Sequence, residues 1–313
     1  MYKHIATFSR GIQNGSKAYS LAKTFFSSPL GEQLRTNTNL NICVRKNYFN
    51  IYWNGCSVLR YSPLAKEHLY CIHHKYVVNY PPPEKNPYVD LTPRYEDDLL
   101  CDLVYNDWSF SRNILGSDSN GQICTEVEKH IKGKAEKAEK KHISQYIEQE
   151  KPCWIDLEIA FSRRSQNKNG ENIVVADRID LAVIDDTDNG KPVLKFIEFK
   201  MAGDSRLKKQ RDELPSVCEK MRIYRDDFLS DQRDAVLRSY KLIAQNMLDF
   251  GITTDHTALF KKWIDEGSVD NSPYLIVLSA KDKLAVHHCE KIYEWMKENG
   301  FPSQGLYCHH IPM

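Results

Sequence analysis

Glu198 and Lys200 end a run, KFIEFK, that is otherwise largely apolar, and a charged pair in such a place asks for a chemical reason. Residues two apart on a strand share a face and lie about 6.6 Å apart, twice the rise per residue. Leu194, Phe196, Glu198 and Lys200 thus line one face, and Val193, Ile197 and Phe199 the other. A strand of this kind is covered on both sides and turns charged only at its C-terminal end. The run before it, IVVADRIDLAVID, carries Asp180 with Ala182 and Ile184 on one face and Ile179, Leu181 and Val183 on the other. Paired as a hairpin, the two runs bring Asp180 level with Glu198, so that two carboxylates and an ammonium converge at one sheet edge.

Carboxylates buried close together repel and resist ionisation unless a cation neutralises them. A hard divalent cation meets that need: Mg²⁺, or Mn²⁺ in its stead, takes one or two carboxylates and leaves its other positions to water and substrate phosphate. Lys200 beside it can orient or deprotonate the attacking water and stabilise charge on the phosphoryl group. The expected chemistry is metal-assisted hydrolysis of a phosphodiester.

The elements that must position these groups are readable in outline. Residues 125–151, TEVEKHIKGKAEKAEKKHISQYIEQEK, are rich in good helix formers and predict a long helix softened at Gly133. CWIDLEIAFSRR, IVVADRIDLAVID and PVLKFIEFK predict three strands, joined by SQNKNGEN and DDTDNGK, which are short enough for hairpins. Helical spacing returns in ELPSVCEKMRIYRDDFL and in RDAVLRSYKLIAQNMLDFG, the latter closed by Gly251. PYLIVLSA is a compact buried strand, and LAVHHCEKIYEWMKENG an amphipathic helix. The second half therefore predicts an α/β (α+β) fold with an αβββαβ core, a mixed central sheet flanked by helices.

The first half reads differently. SKAYSLAKTFF has helical spacing of Tyr19, Ala22 and Phe26, and residues 40–78 alternate β-branched and aromatic with polar residues around the hairpin signal Asn54-Gly55. NYPPPEKNP then breaks regular structure, because consecutive prolines remove donors. The loop LGSDSNG places the expected boundary near 115–122, giving an N-terminal β-rich accessory domain over 1–115 and a catalytic domain over 122–313. The accessory domain is expected to recognise substrate, a partner protein or a second copy of the chain.

Asp180 followed on the next strand by Glu198-x-Lys200, within this order of elements, resembles the PD-(D/E)XK nuclease superfamily, which has the restriction-endonuclease-like fold. The resemblance covers roughly 125–280 and rests on short motifs. It implies that Asp180 and Glu198 bind Mg²⁺ with help from the carbonyl of Phe199, that Lys200 serves the water, and that the products carry a 5′ phosphate. It also implies a further acid upstream. Glu158 is the first choice, since a charge within an apolar strand is costly unless it is used, and Glu148 on the preceding helix is the alternative. Two departures stand out: Arg178 and Ile179 precede Asp180 where the motif has a Pro-Asp dipeptide, and Lys220 stands where the following helix often carries Gln. The superfamily mostly cuts DNA, so DNA is expected ahead of RNA, with antiviral defence or repair as the setting of stand-alone members.

Arg206, Lys208 and Lys209 follow the strand and are expected to meet nucleic-acid phosphates, although Asp204, Asp212 and Glu213 are interleaved among them. Plainer readings compete with these. Glu139-x-Lys141 has the same spacing as the strand pair and reads as a solvated helix face, so a structural salt bridge is the bland account of Glu198 and Lys200. The runner-up function is a catalytically inactive nuclease-fold protein that binds nucleic acid or assembles with partners. Zinc is a third reading, from Cys71, His73 and His74, from His287, His288 and Cys289, and from Cys308, His309 and His310. None of these groups has a CxxC or HxxxH spacing, and buried thiols with hydrogen-bonded histidines are expected instead. Tyr52, Trp53, Tyr61 and Tyr70 could stack on bases, but core packing is the default for aromatics on strands.

Composition adds bounds. The 43 basic and 42 acidic residues leave a formal charge of +1, so overall electrostatics names no partner. No run is apolar for the roughly 18 residues that a membrane span requires. The 9 cysteines include no close CxxC pair and predict reduced thiols in a cytoplasmic protein. No acid precedes Glu32, a composition shared by organellar transit segments, but a basic N-terminal helix is the preferred reading.

Overall fold

The computed structural model describes residues 7–38, 40–53, 56–66, 69–73, 88–90, 139–166, 169–186, 190–202, 204–207, 215–253, 255–279, 290, 292–301 and 306–310. The expected boundary at 115–122 lies outside them. The chain forms two compact units, one of Met1–Ser9, Gln145–Lys241 and Ala258–Met313, the other of Arg10–Ser144 and Leu242–Thr257.

In the unit that begins at Arg10, Ser16 caps helix α1 (Lys17–Phe26) by accepting the N–H of Tyr19, and α1 buries Ala18, Ala22, Phe25 and Phe26. Ser28 caps α2 (Pro29–Thr36), whose first residue is a proline with its φ already suited to a helix. Gly31 is required there, since a Cβ would lie 2.0 Å from the carbonyl oxygen of Phe25. Five strands follow as an antiparallel meander: β1 (Leu40–Val44), β2 (Phe49–Trp53), β3 (Cys56–Tyr61), β4 (Tyr70–His73) and β5 (Tyr88–Asp90). Trp53 pairs with Cys56, the register of a two-residue hairpin connection. Tyr52 and Tyr61 are buried, so these aromatics are core.

The segment 242–257 completes this core. Phe250 packs 5.7 Å from Phe26 and 5.6 Å from Phe49, ring centroid to centroid. The buried Asn246 side chain accepts the N–H of Ile12 at 2.6 Å and donates to its carbonyl at 3.0 Å.

In the other unit, α3 (Glu139–Glu150), which belongs to it from Gln145 onward, precedes three antiparallel strands, β6 (Cys153–Gln166), β7 (Asn172–Asp186) and β8 (Pro192–Met201). Helix α4 (Ser216–Ile223) runs into a π-helical stretch at Tyr224–Ser230 and, after a turn at Asp231 and Gln232, α5 (Arg233–Asp249) follows, whose residues belong to this unit through Lys241. After α6 (Thr257–Glu266) come a two-residue strand β9 (Ser268–Val269), β10 (Tyr274–Ser279) and β11 (Leu306–His310). The sheet order is β11-β10-β8-β7-β6, with β10 and β11 parallel to β8. This is the mixed α/β sheet with its αβββαβ order.

Both faces of the sheet are covered. Phe196 meets Phe228 and Tyr240 at 5.4 Å each, and Phe161 stacks on Phe228 at 4.4 Å, which seats α4, the π-helical stretch and α5. Phe199 points the other way, onto Tyr146 of α3 at 5.2 Å. Opposite destinations for Phe196 and Phe199 are what the period of two requires. Of Val193–Lys200, only Lys195 is less than buried. Cys43, Cys71, Cys153 and Cys218 are buried and form no disulfide. No helix among the described residues is long and apolar enough to cross a membrane.

Candidate active site

The three sequence-predicted catalytic residues stand where the sheet forks. β7 pairs with β8 from Asp186↔Pro192 as far as Leu181↔Ile197, and there the ladder ends. Beyond that point β7 pairs only with β6, out to Asn172, while β8 continues along β10 from Ile197 to Met201. Continuing the register would set Asp180 opposite Glu198. Asp180 instead turns its carboxylate into the opening and accepts the N–H of Phe199 at 2.9 Å. A ladder donor released by the fork is thereby satisfied.

Glu198 is fully buried and Lys200 is 1% exposed. Nζ of Lys200 donates to Oε1 of Glu198 and, at 2.5 Å, to the carbonyl of Phe199. Lys220 of α4 donates to the same Oε1 at 2.6 Å. Tyr224, four residues further along, places its hydroxyl 3.0 Å from Oε2 and against the carbonyl of Arg178. Burial, followed by the negative charges of Glu198 and Asp180, raises the Tyr224 phenol far above its ordinary pKa. Both carboxylates thus act on one hydroxyl. Glu198 faces two ammoniums, Lys200 and Lys220, and these pairings offset the several kcal/mol of desolvation an isolated buried ion would cost.

Lys220 and Tyr224 carry a signal that the charge pattern alone does not reveal. Their spacing of four puts them on one helical face, and Val217, Cys218 and Met221 beside them are buried. The Gln-to-Lys departure at 220 is therefore a direct contact with the site.

The expected upstream acid, Glu158, is held by a protein cation. Leu157↔Leu181 and Ile159↔Ile179 put Glu158 level with Asp180, as a ligand role needs. Its backbone, however, has φ of 48°, in the left-handed region, and its carboxylate pairs with Arg178 at 3.2 Å. The charge that looked unsupported within an apolar strand is answered by a neighbour two residues from Asp180. Left-handed backbone at a non-glycine costs roughly 1–2 kcal/mol, and such strain is typical of functional sites. Glu148, the alternative, is an exposed residue of α3. Among the described residues no group of three or more His, Cys, Asp or Glu is gathered closely enough to hold a metal.

Arg206 is exposed and its guanidinium clasps Asp204, at 2.9 Å from Nε to Oδ1. That contact first, and Lys200 more weakly, holds the Asp204 carboxyl below the usual range. Lys208 and Lys209 lie outside the described residues, as do the side chains of the three cysteine–histidine groups apart from buried Cys71.

Asp180, Glu198 and the Phe199 carbonyl are hard oxygen donors, the type that Mg²⁺ or Mn²⁺ takes, and two of them, Glu198 and the carbonyl, already hold the Lys200 ammonium. No family model, no curated protein and no solved structure matches this chain.

Proposed function

We propose that the protein is a metal-dependent nuclease of the PD-(D/E)XK type that hydrolyses phosphodiester bonds, with DNA as the favoured substrate. The observation that supports this most is the fork itself: an Asp180 carboxylate bonded to the one backbone N–H between a buried Glu198 and a buried Lys200. A structural salt bridge needs only the last two. Asp180, Glu198 and the Phe199 carbonyl would hold Mg²⁺ or Mn²⁺, which supplies charge stabilisation at the phosphate and an acidified water. Lys200, pinned at its carboxylate and carbonyl partners, holds a positive charge where negative charge develops during hydrolysis. Tyr224 fixes the rotamer of Glu198 from the opposite oxygen.

The test uses purified full-length chain with plasmid, single-stranded DNA and RNA, with and without Mg²⁺ or Mn²⁺. Metal-dependent cleavage that is lost in Asp180→Asn, Glu198→Gln and Lys200→Met is expected. Cleavage that survives all three removes the assignment. One observation favours a non-catalytic nucleic-acid-binding role: Glu198 is neutralised by Lys200 and Lys220 with no metal required. Binding without cleavage under every metal condition would select that reading.

A further inference from the structure

We infer that Lys220 is a resident counter-ion which a divalent metal must displace from Glu198, and that metal entry frees its ammonium for the phosphate of the nucleic acid. This inference rests on the metal-dependent reading above.

Oε1 of Glu198 receives both ammoniums, Lys200 and, at 2.6 Å, Lys220, while Oε2 receives the Tyr224 hydroxyl at 3.0 Å. A carboxylate oxygen has two in-plane lone-pair directions, so Oε1 has none left for a hard cation. Metal binding through Oε1 therefore requires one ammonium to leave, and at Oε2, which keeps one direction open beside the Tyr224 hydroxyl, repulsion between the arriving cation and two ammoniums on the same carboxylate drives the same departure.

The two lysines are tied unequally. Lys200 is 1% exposed, springs from a strand paired with β10, and has a second bond to the Phe199 carbonyl at 2.5 Å. Lys220 has a side chain 25% exposed and springs from a helix surface. Its other contact is the Tyr224 ring, 5.2 Å from Nζ to centroid, a weak cation–π attraction on a flexible four-carbon stem. Lys220 is the one that yields. Once released it remains tethered beside the site, within reach of an anionic substrate that arrives after the metal.

The experiment measures Mn²⁺ binding to the full chain by electron paramagnetic resonance for wild type, Lys220→Gln, Lys220→Arg and Glu198→Gln. Displacement predicts about tenfold tighter binding in Lys220→Gln, no gain in Lys220→Arg, and loss of binding in Glu198→Gln. A lysine that merely braced the site would weaken binding when removed. In parallel, wild-type chain is treated with an amine-reactive ester and the peptides are weighed. Mn²⁺ should speed acylation of Lys220 and leave Lys200 unreactive, a readout that stands whether or not Lys220→Gln folds. Glu198-dependent Mn²⁺ binding with no gain in Lys220→Gln, or Lys220 acylation that metal slows or leaves unchanged, overturns the inference alone. Absence of Glu198-dependent Mn²⁺ binding in every protein removes the metal-dependent reading with it.

Discussion

The carboxylate of Asp180 accepts the backbone N–H of Phe199 at 2.9 Å, and this bond bridges β7 and β8 just past the end of their ladder. The acid thus does two separable things: it satisfies a donor and it carries charge. Asp180→Asn keeps an acceptor of the same shape and removes the charge. It should lower metal-dependent cleavage by at least about 10²-fold, within the range for losing a positioned charged group. Its urea midpoint should stay near wild type. Asp180→Ala should lose cleavage and also about 1–2 kcal/mol of stability, because the Phe199 N–H loses its partner. Urea melts of the two variants separate the roles.

Glu198 and Lys200 form an ion pair with almost no exposure. Removing Glu198 leaves the Lys200 ammonium buried without its carboxylate, which costs about 3–5 kcal/mol. Glu198→Ala is therefore expected to destabilise by that amount and to leave two ammoniums confronting each other. Glu198→Gln combined with Lys200→Met should be more stable than Glu198→Gln alone, since the buried Lys200 ammonium is then no longer stranded, whereas Lys200→Met alone keeps Lys220 on Glu198. A double-mutant cycle by urea unfolding gives the coupling, expected at about 1–3 kcal/mol in favour of the pair.

Tyr224 makes a pH prediction with a definite sign. Its folded phenol pKa is raised by burial and by Glu198, while the unfolded phenol titrates near its ordinary 10.0. Below pH 10 both states keep the proton and the group adds no slope. Above it the unfolded state releases a proton that the folded state retains, so stability falls as pH rises. Tyr224→Phe should lose about 1–2 kcal/mol at pH 8 through its missing hydrogen bonds, and should lessen the decline above pH 10. Urea unfolding at the two pH values measures both. An unchanged alkaline slope would show that Tyr224 ionises no differently on folding.

The legible part of this protein is what period and charge encode. β8 could be read residue by residue because its apolar run stops at Glu198, and Asp180 because a short turn fixes the hairpin register. The fork was not legible. It depends on β8 exchanging one partner strand for another, and nothing local to IEFK distinguishes a strand that keeps its neighbour from one that changes it. Glu158 stands level with Asp180 as its place in the strand implies, but its pairing with Arg178 was not legible, since a left-handed residue inside a strand has no sequence signal unless it is glycine. Lys220 read as a mere departure because helical position alone does not reveal which strand a helix covers. β11 went unread because LYCHH is short and lacks clear alternation. Residues 242–257 were assigned to the second half by sequence position, although Asn246 and Phe250 pack with Ile12 and Phe26.

That last pairing makes the fragment experiment decisive. A chain cut at the expected boundary, residues 1–115, keeps Ile12, Phe26 and Phe49 but loses the Asn246 amide that answers both backbone groups of Ile12, and the Phe250 ring packed on both phenylalanines. Burying the Ile12 N–H and C=O unpaired costs about 1–3 kcal/mol each, and deleting a core phenylalanine about 3–5 kcal/mol. Those sums rival the whole stability of a small domain. The fragment should therefore show no cooperative unfolding by circular dichroism. In the full chain, Asn246→Ala should speed hydrogen exchange at the Ile12 amide far more than at Ile51 in the middle of β2. Equal protection of Ile12 in Asn246→Ala would mean that burial, and not the side-chain amide, shields it, and the case for 242–257 as an integral part of this unit would then rest on Phe250→Ala alone.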